Sequence, residues 1–541
     1  MKRRLSVFTL VVFGFLGALP SAAQPQQESW TGGFWLNGNW VAVLVRFNRQ
    51  DNVQGGTADV ILPFYGGSEN AINVTLEAVK ETASDLHFEI PAGTRRLVFD
   101  GRRRNQHTIA GNYVYDNSKG KFGLTRWAAV PVEELAKYYG AYRVSSDRVI
   151  SIFRGWSYAR TLNYVDYKTG RVGTLWPSSE TEFFGGDGLA VSFPVSIRLS
   201  FRVDPAGNVK GLVWKTNNES NLTAKKIQFK EERITFTNGD IKLGGTLILP
   251  PTKEPKAVVI VTPGDYGTNR NQLRMWAHNF VSRGMAALIF DSRGAGESTG
   301  PVNSSSFSDL ANDVLAGVQV LKKRADINPK KIGLFGFSNS AFIVTFAASR
   351  SDDVSFLILQ SLVGVPGWEQ ETFRAETQLR VDEFPERDVK KGADFMRLKY
   401  EVARTGNGWD QLQKIIQQAG SERWLGYTSP PNSLERLRQV YGLIMTYDPG
   451  PALEKLKIPI LAVWGGRDTF VPVPKTIAVF KRAMAKAGNK NYVIKIYANG
   501  SHSLLETATG SPSTGGKETV FSPRLYTMEG DWLLRNVSPA R

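Results

Sequence analysis

From about Glu28 to Thr223, apolar and polar residues alternate in short runs broken by turn residues, the period of half-buried strands. Trp35-Leu-Asn-Gly-Asn-Trp-Val-Ala-Val-Leu-Val-Arg-Phe47 predicts two strands about an Asn37-Gly38 hairpin, and Tyr113 to Arg126 predicts another about Asn117-Ser-Lys-Gly120. Tyr167-Lys-Thr-Gly-Arg171 and Asp204-Pro-Ala-Gly-Asn208 carry turn chemistry between further strands. A helix-like break, Val132 to Tyr139, divides this all-β region into expected domains at 24–130 and 131–225. Its many aromatics (Trp30, Trp35, Trp40, Trp127, Trp156, Trp176) are expected to fill β cores rather than line a groove.

After Lys225 the pattern changes. Arg233–Phe236 and Leu243–Leu249 read as an antiparallel pair. Beyond them, apolar runs alternate with helical segments: Ala257–Thr262, Ala286–Phe290, Ile332–Phe337, Phe356–Leu359, Ile458–Trp464 and Tyr492–Tyr497. Strands apolar on both faces and separated by helices predict a mostly parallel sheet wrapped by helices, an α/β domain over 226–541. The segment Phe307–Lys323 illustrates the helical period, with Leu310, Val314, Val318 and Leu321 on one face. The interval from Val365 to Leu453 is too long for a crossover. Its charged, helix-prone segments, such as Phe373–Val381 and Ser433–Ile444, predict a helical cap over about 366–450.

Composition narrows the class. Of 541 residues, 42% are hydrophobic and 22% charged, which supports a packed core. The net charge of +17 is spread along the chain without a long basic block, so a nucleic-acid partner is not expected. The one dense cluster past the leader, Arg102-Arg103-Arg104, reads as a solvated turn. Lys2, Arg3 and Arg4, an apolar run from Leu5 to Leu19 and then Pro20-Ser21-Ala22-Ala23 read as a signal peptide cleaved near Ala23. That run is shorter than the ~20 residues of a membrane span, and no later segment is long enough, so the mature chain is expected to be periplasmic or extracellular without a transmembrane segment. There is no cysteine, which removes disulfides and thiolate metal ligands.

The chemistry centres on Lys331-Ile-Gly-Leu-Phe-Gly-Phe-Ser-Asn-Ser-Ala341, where an apolar run stops at a tight turn and a helix-like segment follows. A serine at the apex of a strand–turn–helix is an exposed nucleophile, provided that residues two before and two after it are small. Here Gly336 and Ser340 flank Ser338, with Ser340 in place of the usual second glycine. A serine hydroxyl needs a general base, and the base needs a partner that fixes its tautomer. Of four histidines, His87 and His107 lie in the β region, His278 precedes the elbow, and only His502 follows it, in Asn499-Gly-Ser-His-Ser503. The chain order Ser, acid, His makes Asp468, just after Ile458–Trp464, the expected acid, with Glu506 as the fallback. The oxyanion donors are expected to be the backbone N–H of Asn339 and, in Pro263-Gly-Asp-Tyr-Gly267, that of Asp265, with Tyr266 next. The glycine-rich Asp291–Gly300 lacks dinucleotide spacing and reads as a loop near the pocket rim. No metal spacing and no cofactor motif is present.

Asn238–Leu247, Asp291–Gly300, Gly333–Ser338 and Trp464-Gly-Gly-Arg-Asp468, taken together and in order, resemble the α/β-hydrolase superfamily, in particular bacterial secreted or envelope carboxylesterases of the EstD type. The resemblance covers about Glu232 to Val537 and implies Ser338 as nucleophile, Asp468 as acid and His502 as base. Tyr138–Arg143, Phe183-Phe-Gly-Gly186 and Phe201–Val213 resemble the lipocalin-like β-domains appended to some bacterial serine hydrolases, which implies an accessory barrel without a catalytic part. The leading expectation is an exported serine carboxylesterase acting on short-chain, small-molecule esters through an acyl-enzyme. A serine peptidase acting on short peptides and a catalytically silent envelope- or glycan-binding protein are the alternatives.

Overall fold

The computed structural model describes residues 26–537 except positions 37–38, 50–52, 62–71, 93–94, 156–159, 187, 189–194, 217–219, 253–254, 265–266, 302–304, 421, 445–446 and 511–518. The leader-like residues 1–23, Trp156, and the Asp265 and Tyr266 of the expected oxyanion loop lie outside the described residues.

The alternating N-terminal region forms a nine-stranded antiparallel sheet from Gln26 to Trp127. Its two edge strands, Ile72–Thr75 and Glu77–Glu81, are joined by the single residue Leu76, so the sheet must curl until its edges meet. Inside lie Trp30, Phe34, Phe47, Phe88, Phe99 and Phe122, all buried. Trp127 and Trp176 are also buried, whereas Trp35 is 50% exposed. The Arg102–Arg104 cluster is not a turn: it belongs to the strand Arg95–Asn105. Alternation sends Arg102 outward to Asp85, 2.9 Å away, while Arg103 pairs with Glu81 and Glu28 at 2.5 and 3.3 Å and lies over the Trp30 ring. Partners remote in sequence stabilise in a strand what reads locally as a solvated run.

A turn of helix, Val132–Leu135, leads into eight antiparallel strands between Gly140 and Lys226 that close into a barrel. Tyr138, Tyr142, Tyr164, Phe183, Phe201 and Trp214 fill it.

The rest of the chain builds an eight-stranded sheet. We number its strands β1 (Lys230–Asn238), β2 (Ile241–Leu249), β3 (Lys256–Val261), β4 (Ala286–Phe290), β5 (Ile327–Phe337), β6 (Phe356–Gln360), β7 (Ile460–Gly465) and β8 (Tyr492–Tyr497). Their spatial order is β1-β2-β4-β3-β5-β6-β7-β8. β2 pairs antiparallel with both β1 and β4, and β3 through β8 run parallel. Helices cover both faces, among them α1 (Arg274–Val281), α2 (Phe307–Lys322) and α3 (Asn339–Ala348). The α2 stripe is buried at Val314, Val318 and Leu321 with Leu310 packed beside it, and Ser306 caps its start by accepting from the N–H of Asp309. Between β6 and β7 the chain forms α4 (Gly367–Val381), α5 (Glu386–Thr405), α6 (Trp409–Ala419) and α7 (Leu434–Ile444), which share an apolar cluster of their own around Phe395, Met396, Leu412 and Trp424. The helices α8 (Val473–Ala487) and α9 (Leu525–Asn536) complete the layer. Among the described residues no helix is long and apolar enough to cross a membrane.

Parallel strands deliver their carboxyl ends to one edge, and loops there converge on one site. Register places Val261 beside Phe335, and Phe337 beside Gln360, so the ends of β3, β5 and β6 meet directly below Ser338.

Candidate active site

Ser338 occupies the step from β5 to α3 with φ 53° and ψ −119°, a strained conformation for a residue with a side chain. The turn is held from both sides. Ser338 donates its N–H to the Gln360 carbonyl at 2.9 Å, and the Ser340 hydroxyl accepts from the Phe337 N–H at 2.7 Å while donating to the Phe337 carbonyl at 2.9 Å. At Gly336 a Cβ would lie 2.5 Å from the Ser340 carbonyl oxygen and 2.6 Å from the Ala341 nitrogen, so glycine is the residue that fits.

His502 comes from the loop after β8, and Asp468 from the turn after β7. The structure brings them to the serine: His502 Nε2 lies 2.9 Å from Ser338 Oγ, and His502 Nδ1 lies 2.8 Å from Asp468 Oδ2. The other carboxylate oxygen of Asp468 accepts from the N–H groups of Phe470 and Val471 at 2.7 and 2.9 Å, and its side chain is fully buried. The imidazole sits between Phe470, stacked at 4.7 Å, and Phe337 at 5.4 Å. Ser361, with φ 51°, donates its hydroxyl to the His502 carbonyl at 2.6 Å, a support the sequence did not flag. This arrangement can move a proton from a serine hydroxyl to an imidazole whose tautomer is fixed by a buried carboxylate.

The remaining candidates are placed apart from this trio. Glu506 donates its backbone N–H to Val520 and makes no described contact with His502. His87 lies in a strand of the first sheet, where it pairs with Asp100, and His107 lies in the turn that follows the strand Arg95–Asn105. His278 is buried on α1 with Nδ1 2.8 Å from the Ser151 hydroxyl of the barrel, and burial, helped by the charge of Arg274, pushes it down to about 3, so it stays neutral. Asn339 lies at the first position of α3 and lines the cavity beside Ser338. The loop Asp291–Gly300 packs behind the cavity lining, where Ser292 donates its N–H to the carbonyl of the lining residue Thr268 at 3.1 Å. None of its residues lines the cavity, and Asp291 instead accepts from the Arg270 N–H and pairs with the Arg270 guanidinium at 2.9 Å, bracing the segment that leads into α1.

Above Ser338 opens a cavity of about 590 Å³. Trp276, Phe335, Phe337, Phe470, Leu505 and Phe521 make its apolar walls, and Glu371 and Arg374 of α4 face it from the cap. These two pair at 2.9 Å. Burial works to raise the Glu371 carboxyl, but the charge and hydrogen bonds of Arg374, with Lys399 nearby, outweigh it and hold the group below the usual carboxylate range. Below the cavity, Trp276 Nε1 donates to Gln360 Oε1 at 3.3 Å, and the Gln360 amide donates to the buried Glu529 of α9. Burial pushes Glu529 up to about 7, against the pull of Gln360 and Arg283.

The family model described as X-Pro dipeptidyl-peptidase (S15 family) matches residues 238–503, just under half of the chain. Among curated proteins, the quorum-quenching protein AidA of Acinetobacter baumannii is 27% identical over 128 residues, 24% of this chain and 42% of that protein. An uncharacterized 31.7 kDa protein of Escherichia coli is 23% identical over 240 residues, 43% of this chain and 80% of that one. The thiohydrolase apmlB of Arthrinium phaeospermum is 28% identical over 137 residues, 25% of this chain and 44% of that one. The chain thus spans less than half the length of two of these relatives. Among solved structures, the esterase Pf2001 of Pyrococcus furiosus aligns with a TM-score of 0.37 and 18% identity, over 57% of this chain and 92% of that one.

Proposed function

We propose that this chain, a serine hydrolase of the α/β-hydrolase superfamily, is a carboxylesterase that cleaves small esters through an acyl-enzyme and acts outside the cytoplasm. The observation that carries the reading is the continuous contact Ser338–His502–Asp468, at 2.9 and 2.8 Å, at the floor of a cavity sized for a small molecule. Ser338 Oγ attacks the ester carbonyl carbon as His502 Nε2 takes the hydroxyl proton. Asp468 Oδ2 accepts from Nδ1–H and stabilises the imidazolium. The tetrahedral oxyanion is met by the N–H of Asn339, with the segment containing Asp265 as the source of the second donor. Collapse expels the alcohol, protonated by His502, and a water activated by the same imidazole then releases the acid.

The test is turnover of p-nitrophenyl esters of increasing acyl length by the mature chain beside Ser338→Ala. Loss of at least ~10⁴-fold in kcat is expected in the variant, and equal rates in the two proteins would sink the mechanism. The S15 family match favours a second reading, cleavage of short peptides. A dipeptidyl p-nitroanilide releases a comparable chromophore, so the ratio of kcat/KM for the two substrates decides between ester and peptide. Export rests on the leader-like residues 1–23, and cell fractionation with N-terminal sequencing of the product, expected to start near Gln24, tests it.

A further inference from the structure

The barrel touches the cavity wall at two places. From its hairpin, the Tyr167 hydroxyl donates to the backbone carbonyl of Met275 at 2.5 Å, and Met275 lines the cavity beside Trp276. From α9 the Tyr526 hydroxyl reaches the Met275 sulfur at 3.3 Å, and the two tyrosine rings pack at 5.0 Å. The first turn of α1, which carries the wall residues Met275 and Trp276 and is preceded by the wall residue Leu273, is thereby clamped between the barrel and the last helix.

The second place is a backbone ladder. Phe521 donates its N–H to the Gly170 carbonyl at 2.8 Å, and Val172 donates to the Thr519 carbonyl at 3.0 Å. The same 520–522 segment pairs on its other side with Leu504–Glu506, immediately after His502, through the N–H of Glu506 to Val520 and the N–H of Ser522 to Leu504. Leu505 and Phe521, the side chains of that pairing, both line the cavity. Contact is close enough to dictate sequence: Gly170 has φ +77°, and a Cβ there would stand 2.8 Å from the Phe521 carbonyl oxygen. Tyr167, Val165, Val172 and Phe153 of the barrel share one apolar cluster with Met275, Phe521, Leu505 and Tyr526.

We infer that the barrel is part of the substrate site, with Tyr167 and Gly170 acting as positioning residues that set the shape of the wall formed by Met275, Trp276, Leu505 and Phe521. The substrate-selecting consequence rests on the esterase reading; the positioning itself does not. A side chain on either wall segment can retreat only if the barrel lets it, so the barrel limits the length of acyl or alcohol group the cavity admits. An accessory domain that merely tethers the enzyme would leave the wall indifferent to these two residues.

The experiment compares Tyr167→Phe, which removes only the hydroxyl, and Gly170→Ala with wild type in the full mature chain. Two readouts are taken: the p-nitrophenyl acyl-length profile, and hydrogen exchange of peptides covering residues 270–281 and 504–510. Tyr167→Phe is expected to shift KM for the longer acyl chains by ~10-fold relative to the acetyl ester, with kcat changing less than KM. Exchange in both peptides is expected to quicken by a similar factor while peptides in β5 and β6 hold. Wild-type exchange and an unaltered length profile in folded variants would overturn the proposal, as would an equal loss on every ester without faster exchange. Should wild type show no Ser338-dependent turnover, the esterase reading fails and the exchange comparison alone decides whether the barrel holds the wall. Should Gly170→Ala not fold, Tyr167→Phe carries the decision.

Discussion

At the elbow, the departure from the usual second glycine is compensated by a hydroxyl. Ser340 spans the Phe337 peptide by bonding both its N–H and its carbonyl, which glycine could not do. The steric demand falls on Gly336 alone, where a side chain would meet backbone. Ser340→Gly is therefore expected to cost ~1 kcal/mol in stability by lost hydrogen bonding and added backbone freedom, with modest loss of kcat. Gly336→Ala is expected to cost several times more, in thermal melts and in turnover alike. Asp468→Asn gives a sharper contrast. Two backbone N–H groups fix one carboxylate oxygen as an acceptor, so the new amide would present its NH₂ to His502 and favour the wrong tautomer. A fall of ~10⁴-fold in kcat with an intact fold is expected, read by steady-state kinetics beside circular dichroism. Chain order and histidine scarcity were enough to single out Ser338, Asp468 and His502. Ser361, Trp276 and the Ser340 bridge were not legible, because each depends on a turn geometry or on a partner far away in sequence.

Among the elements, apolar runs located the sheet strands well because parallel strands are buried on both faces. What was missed is polar. The first residues of β5, Ile327 to Lys331, extend the strand through Asn328-Pro-Lys-Lys331, and Arg95–Asn105 is a strand despite three consecutive arginines. The helix α9 carries the clearest pH dependence. Glu529 retains its proton to about pH 7 in the fold, against 4.5 for an ordinary glutamate. Between those values the unfolded chain ionises first, so stability falls as pH rises; below 4.5 the difference vanishes, and above 7 it is constant. The full effect is about 3 kcal/mol. Glu529→Gln keeps an acceptor for the Gln360 amide and removes the ionisation. Denaturant melts are expected to show the variant close to wild type at pH 4 and more stable by up to about 3 kcal/mol at pH 8.

On the scale of the molecule, three units are joined in series by two seams of different weight. The first sheet meets the barrel through a small cluster, Ala42, Leu44, Trp127, Trp176 and Phe184, with the two indoles edge to face at 5.4 Å. The barrel meets the eight-stranded sheet through a large apolar cluster that runs to the cavity wall. Removing residues 1–126 is expected to leave a soluble enzyme with near-normal kcat. Removing residues 1–226 bares Met275, Phe521 and Tyr526 and is expected to give aggregated, inactive protein; soluble yield and ester turnover of the two truncations check both statements. The boundaries between pattern types were visible along the chain, but neither seam was, since each joins residues of different units far apart in sequence, such as Ala42 with Trp176 and Tyr167 with Met275.

The clamp on Met275 also bears on the order in which the fold can be completed. Tyr167 is synthesised early and Tyr526 close to the end, and the two grip the same residue from opposite sides. The barrel's last strand ends at Lys226 and α9 begins at Leu525, so the barrel's local antiparallel pairs can form among themselves before α9 reaches Met275. The Met275 wall of the cavity is therefore completed only when α9 docks, and until that helix is in place the cavity above Ser338 lacks one of its supports.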